Sequence, residues 1–129
     1  MYRIGIDLGG TTIKAGVGDE NNNIIEQAFA PTGYGRPANE IIMDACTVAE
    51  SAMNLCFVRK EDGSGVGICS AGTCDPKSGR IVRADNLGIF DAPVCDLVSF
   101  KLGLPAKLAN DADAAALAEA VANASLVLP

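Results

Sequence analysis

The stretch GIDLGGTTIKAGV, residues 5–17, carries the clearest local pattern in this sequence. Apolar and polar residues alternate before Gly9 and again after Gly10, as in two β-strands joined by a tight turn. A third segment of this kind, NIIEQAFAPT at residues 23–32, follows the turn-forming residues DENNN. The chain is therefore predicted to begin with three consecutive antiparallel strands.

Helical and strand-like segments alternate further along the chain. Residues 37–57 place apolar side chains at helical spacing, and GSGVGICSAG at 63–72 is typical of a buried strand that ends in a glycine-bearing loop. Three predicted elements complete the chain: a short strand and loop at 78–90, a helix at 92–103 closed by Gly103, and a strand at 105–111 that runs into a last helix. A meander followed by alternating helices and strands predicts an α/β fold with a mixed sheet.

Composition limits the kinds of protein this chain can be. Its 129 residues, 49% hydrophobic and 20% charged, suit one globular domain spanning residues 1–129. The net charge of −6 leaves no basic surface for nucleic acid or an anionic membrane. The N-terminus enters a strand pattern directly, without the apolar core of a signal peptide. A cytoplasmic protein is predicted.

The cysteine and histidine content excludes several kinds of site. Five cysteines at irregular spacing, with no Cys-x-x-Cys pair, predict reduced and mostly buried thiols and no zinc site in this chain. Histidine is absent, which excludes a Ser-His-Asp triad and a Cys-His dyad. Chemistry here depends on carboxylates, hydroxyls, backbone amides or a partner domain.

The glycine turn is a candidate phosphate site. Gly5 and Gly10 have the spacing of a Walker A loop, but Thr11 stands where its lysine belongs and a strand follows where a helix is required. The turn still offers free amides and hydroxyls, and the carboxylate of Asp7 suits a phosphate-bound Mg²⁺ held through water. The alternative is a plain β-hairpin whose glycines supply positive φ angles.

Two blocks of this sequence resemble one known family. Residues 7–25, DLGGTTIKAGVGDENNNII, resemble the first phosphate motif of the actin-like sugar kinases, in particular the ROK family (repressors, open reading frames and kinases) with its bacterial glucokinases. Residues 65–120 resemble the family's central block: Gly-Ile-Gly-x-Pro-Gly, Asp-Pro-x-x-Gly, Asn-Leu and Asn-Asp-Ala-Asn-Ala-Ala-Ala. The resemblance implies a ribonuclease-H-like fold and phosphorylation of a hexose, with ATP and Mg²⁺ as cofactors.

The resemblance also implies site residues. Those on the phosphate side are Asp7, Gly9, Gly10, Thr11, Thr12 and Lys14. On the sugar side it implies Gly72, Asn86 and Asn110 as contacts, and Asp111 as a contact and the general base for the phosphorylated hydroxyl. A carboxylate is ionised at neutral pH and can accept that proton.

Each assignment has a structural alternative. Asn110 and Asp111 precede a helix, where Asn and Asp are favoured caps. Asn86 suits a turn, Gly72 a strand-to-turn junction, and Lys14 a solvated strand face.

Several residues depart from the family pattern. Ala71 replaces the usual proline, Asp113 the usual second asparagine, and Ile89 a tryptophan common in glucokinases. After ALAEAVAN, residues 116–123, the family continues into a second lobe with another phosphate loop, the adenosine pocket, a sugar-binding Glu-x-x-His segment and a Cys-rich zinc site. The chain is therefore predicted to be the N-terminal domain of a homo-oligomeric kinase, inactive without its C-terminal lobe.

Two other functions are alternatives to that of a kinase. A sugar-sensing transcriptional regulator of the family carries a winged helix-turn-helix before the phosphate motif, and the six residues before Asp7 leave no room for it, so this function is not expected. A non-catalytic sugar-binding module is favoured by Ala71 and Asp113.

Overall fold

A computed structural model describes residues 1–109 and 116–124. In chain order the elements are β1 Tyr2–Leu8, β2 Thr12–Gly18, β3 Ile24–Pro31, α1 Ala38–Leu55, a 3₁₀ turn Lys60–Asp62, β4 Gly63–Ser70, β5 Thr73–Asp75, β6 Arg80–Ala84, β7 Ile89–Ala92, α2 Val94–Leu102, β8 Ala106–Leu108 and α3 Ala116–Ala124. Within those two ranges no helix is both long and apolar enough to cross a lipid bilayer.

The main sheet has five strands in the order β3-β2-β1-β4-β8. β1 pairs antiparallel with β2 and β2 with β3, which confirms the predicted meander, while β4 runs parallel to both β1 and β8. The predicted mixed sheet is therefore confirmed. Parallel strands bring their carboxyl ends to one edge of a sheet, and here Leu8, Ser70 and Leu108 end at that edge.

The hydrophobic core lies between one face of this sheet and α1. Alternate residues of the central strands are fully buried, and so is most of the predicted apolar stripe of α1: Ile4, Ile6, Leu8, Ile13, Ala15, Val17, Ile41, Ile42, Ala45, Ala49 and Ala52. Leu55 continues the same helical spacing but is 60% exposed at the last turn of α1, so the prediction that it faces the core is wrong. Strand period 2 and helix period 3.6 thus present their apolar residues to each other.

The opposite face of the sheet carries a row of glycines on which α3 packs. Gly16, Gly5 and Gly67 stand side by side in register on β2, β1 and β4. A methyl group on Gly5 would lie 2.7 Å from Cγ2 of Val121, and one on Gly67 would overlap the carbonyl group of Ala120. The glycines therefore allow the backbone of α3 to approach the strands closely.

A second sheet was only partly predicted. The expectation of one short strand and a loop at 78–90 is incomplete, because β6 and β7 pair as an antiparallel hairpin and β5 pairs with β6. The helix predicted at 92–103 is confirmed as α2, and Gly103 ends it at a φ of 71°. This small sheet positions the turn of residues 84–89 between β6 and β7.

The cysteines agree with the prediction of reduced thiols. All five lie in the described ranges and form no disulfide bond there, and Cys46, Cys69 and Cys95 are buried. Burial raises the pKa of Cys46 to about 11, and that of Cys95 to about 11 as well. These two thiols are protonated at neutral pH and serve as packing residues.

Candidate functional site

The glycine turn joins β1 to β2 and is closed by one backbone hydrogen bond. The amide of Gly9 donates to the carbonyl oxygen of Thr12 at 3.1 Å. The turn is a β-hairpin, as the structural alternative expected, but neither Gly9 nor Gly10 has a positive φ angle, so that reason for the glycines is wrong. Space explains them instead: a Cβ on Gly9 would lie 2.7 Å from the Thr12 oxygen, and one on Gly10 would lie 2.9 Å from Cβ of Asn86.

Asp7 and Lys14 face each other across β1 and β2. They are directly paired in the antiparallel register, with Asp7 partly buried and Lys14 exposed. Burial raises the pKa of Asp7, and the positive charge of Lys14 opposes this rise. Asp7 lies two residues before Gly9 and Lys14 four residues after Gly10, on the same face of the sheet as α3.

The segment ADNLG forms the turn between β6 and β7. Ala84 and Leu87 are fully buried, and the amide of Leu87 donates to the carbonyl oxygen of Ala84 at 3.0 Å. Asp85 and Asn86, between these two anchors, are exposed. The alternation of buried anchors and exposed polar residues holds Asn86 against Gly10.

Two neighbouring clefts open at this point. The larger, about 590 Å³, is lined by Gly10, Thr11, Tyr34, Asp85 and Asn86. The smaller, about 220 Å³, is lined by Gly72, Thr73, Arg83, Asp85 and Asn86. The structure therefore brings the glycine turn, Asn86 and Gly72 together around shared walls, whereas Asp7 and Lys14 line neither cleft.

Gly72 has a structural explanation that needs no ligand. Its φ angle is 92°, and a Cβ there would overlap the carbonyl oxygen of Arg83 on β6. The packing of β6 on this loop requires glycine. A sugar contact at Gly72 stays a prediction.

Sequence reasoning missed four residues that line the clefts: Tyr34, Thr73, Arg83 and Asp85. Nε of Arg83 donates to Oδ1 of Asp85 at 2.9 Å, and the guanidinium of Arg83 lies 5.8 Å from the ring centre of Phe90. Asp85 directly precedes the predicted site residue Asn86, and this position in the sequence could have indicated that it lines the same site. Tyr34 follows β3 in PTGYGRP, residues 31–37, which from sequence is only a loop.

The predicted general base lies outside the described residues. Asn110 and Asp111 both fall between the described ranges, as does Asp113. The chain leads toward them at the carboxyl edge of the sheet, where the amide of Ala109 donates to the carbonyl oxygen of Ile68 at 2.8 Å. The roles predicted for Asn110 and Asp111 stay predictions.

The donor set beside the glycine turn suits one kind of metal. Among the residues of 1–109 and 116–124, no three His, Cys, Asp or Glu side chains form a group that could hold an ion. Mg²⁺ commonly binds through one or two carboxylates, water and substrate phosphates. The carboxylate of Asp7 is therefore compatible with a metal that is carried mainly by a substrate phosphate and water.

Comparison with known proteins shows where this arrangement belongs. The model of the ROK family matches residues 3–127. The chain belongs to the ROK family. This confirms the family resemblance carried by the glycine turn, the ADNLG turn and the segment after β8.

ROK relatives include both enzymes and repressors. The glucokinase of Streptomyces coelicolor is 34% identical over 116 residues, covering 90% of this chain and 34% of that protein. The xylose repressor of Caldicellulosiruptor bescii is 27% identical over 116 residues, with 90% and 29% covered. The chain thus spans about a third of the length of these relatives.

A solved ROK structure confirms the predicted fold class. The ROK glucokinase of Streptomyces griseus, in complex with glucose and AMPPNP, superposes with a TM-score of 0.77 at 34% identity. The superposition covers 90% of this chain and 35% of that one. The fold is α/β with a mixed sheet, of the ribonuclease-H-like type found in actin-like ATPases.

Proposed function

We propose that residues 1–129 form the N-terminal domain of an ATP-dependent hexose kinase. The observation that supports this most is the contact between Gly10 and Asn86, where no side chain fits on the glycine. It joins the predicted phosphate turn to the predicted sugar-binding turn at the carboxyl edge of the parallel strands. Ligands of open α/β sheets bind at this edge.

The glycine turn has the chemistry to bind phosphate. Gly10 and Thr11 line the larger cleft, where backbone amides can face a phosphate, and the hydroxyls of Thr11 and Thr12 add donors. Asp7 would orient water around a phosphate-bound Mg²⁺, and Lys14 would supply positive charge on the same face. ATP would supply the γ-phosphoryl group, and a bound Mg²⁺ would neutralise charge on its oxygens.

The sugar-side residues position the hydroxyl that attacks. The amide of Asn86 can donate to one sugar hydroxyl and accept from another, and Asn110 can do the same. Asp111 accepts the proton of the attacking hydroxyl and orients it toward the γ-phosphorus. Because the transition state is loose, this proton leaves late and orientation is the larger part of the role.

Catalysis in this proposal requires the C-terminal lobe that the longer relatives have. Two lobes that close on ATP and sugar exclude water and align the reactants. The 129-residue chain alone is therefore expected to be inactive. A non-catalytic sugar-binding module is the second candidate, because Ala71 and Asp113 depart from the kinase pattern.

Replacing Asp7 with asparagine tests the phosphate side. In the complete gene product, Asp7→Asn is expected to lower kcat for ATP-dependent hexose phosphorylation about 100-fold, because the amide orients metal-bound water poorly. Steady-state rates over a Mg²⁺ titration measure this. Near-normal rates at all Mg²⁺ concentrations would exclude the role given to Asp7.

Asp7→Asn is expected to lower activity without lowering the stability of the protein at pH 7. Burial raises the folded-state pKa of Asp7, so its contribution to stability is present below the unfolded pKa and is lost as the pH rises through the folded pKa. Asp7→Asn should therefore leave Tm at pH 7 unchanged or higher, relative to wild type, and that gain should vanish below about pH 4. Asp19→Asn is the control, because hydrogen bonds led by the Asn23 amide lower the pKa of Asp19. This control should lose stability at pH 7 and keep its activity.

A further inference from the structure

The loop between β3 and α1 is fastened to the glycine turn. Thr32 is fully buried, and its hydroxyl donates to the carbonyl oxygen of Gly9 at 2.7 Å. Its amide donates to the carbonyl oxygen of Thr11 at 2.9 Å. The start of this loop therefore keeps a set position relative to the turn predicted to bind phosphate.

The far end of the loop is fastened to α1. Nη2 of Arg36 donates to the carbonyl oxygen of Thr32 at 2.7 Å, and Nη1 of Arg36 lies 2.8 Å from Oδ2 of Asp44 on the helix. Gly33 and Gly35, with φ angles of 70° and 93°, turn the chain outward on either side of Tyr34. A loop with two fixed ends thus presents one aromatic side chain.

Tyr34 stands at the wall of the larger cleft. Its side chain is 70% exposed, so burial in the core does not account for it. A Cβ on Gly88 would lie 3.6 Å from Cε2 of Tyr34, which places the ring next to the ADNLG turn. The ring therefore shares the cleft with Asp85 and Asn86.

We propose that Tyr34 contacts the acceptor sugar directly and helps select it. A pyranose has apolar C–H faces and a rim of hydroxyls. The ring of Tyr34 is suited to packing against a C–H face, and the polar groups of Asp85 and Asn86 are suited to hydrogen bonds with the hydroxyls. Asp85 is paired with Arg83 at 2.9 Å, and no lysine or arginine is among the described residues that line the larger cleft. The cleft therefore offers no free positive charge to an anionic sugar, and the ligand is a neutral hexopyranose. This inference rests on the proposed function and adds a residue that sets sugar selectivity.

The test compares three variants of the complete gene product. Tyr34→Ala is expected to raise the KM for the preferred hexose about tenfold, and to leave the KM for ATP and Tm close to wild type. Tyr34→Phe keeps the ring and should stay within about threefold of wild type. Phe100→Ala is the matched control, because Phe100 is 90% exposed on α2 and lines neither cleft. It should match wild type in both KM values.

Sugar binding, measured by NMR titration of the hexose, separates the two possible failures. If wild type phosphorylates a hexose and Tyr34→Ala does so with an equal KM and an equal affinity for that sugar, the inference about Tyr34 is wrong and the proposed function stands. If Tyr34→Ala raises the KM for ATP by the same factor as the KM for the hexose and also lowers Tm, Tyr34 is a structural residue. The inference is then also overturned. If wild type neither binds nor phosphorylates any hexose, both proposals fail.

Discussion

Replacing Asp111 with asparagine in the complete gene product is expected to lower kcat about 1,000-fold. The amide has nearly the shape of the carboxylate but cannot accept the proton of the attacking hydroxyl. Asparagine is as good a helix cap as aspartate, so folding should be retained. The KM for hexose should change only a few-fold, because much of the sugar's hydrogen bonding remains. Steady-state kinetics with ATP and Mg²⁺, together with Tm, measure all three quantities.

Asp113→Asn is the matched control for this variant. It makes the same chemical change two residues away and introduces the residue that is usual in the family at that position. Activity should be retained or increased. If Asp111→Asn keeps near-normal turnover, or if both variants lose activity equally, Asp111 is not the specific base.

Replacing Gly67 with alanine is expected to lower the free energy of unfolding by about 3 kcal/mol or more. The added methyl group would overlap the carbonyl of Ala120 and would lie 2.8 Å from the amide nitrogen of Ala124. Both are backbone atoms of α3, so no side-chain rotation relieves the overlap, and the helix must move away from β4. Chemical denaturation followed by circular dichroism measures the loss.

Gly16→Ala is the control on the same row of glycines. A methyl group there would lie 3.2 Å from Cδ2 of Leu117, the end of a flexible side chain, and 3.3 Å from the carbonyl oxygen of Glu26. The expected loss is about 1 kcal/mol or less. Equal losses in the two variants would contradict the packing of α3 against β4.

The main sheet was predictable because its signals are local. The alternation in the first 32 residues predicts β1, β2 and β3, and the spacing of apolar residues predicts α1. The second sheet was not predictable in the same way, because β5 has only three residues and β7 only four. Both strands are defined by their pairing with β6. Short strands held by tertiary pairing leave little pattern in the sequence.

The candidate site was predictable only through the family resemblance. Nothing in the spacing of Gly10 and Asn86 indicates that they touch, because the hairpin of β6 and β7 must first fold against the turn after β1. The role of Gly5 and Gly67 in packing α3 was also missed, although each stands in the middle of an apolar strand. Tyr34 gave no signal, since its position depends on the buried Thr32 and on Arg36.

A panel of neutral hexoses with ATP and Mg²⁺ tests the central claim most directly. The complete gene product is incubated with each sugar, and the products are identified by phosphorus NMR. The account predicts that at least one hexose becomes a phosphate ester in equal amount to the ADP formed, and that the isolated 129-residue chain forms none. A gene product that binds a hexose but forms no ester would contradict the kinase proposal and support the non-catalytic module.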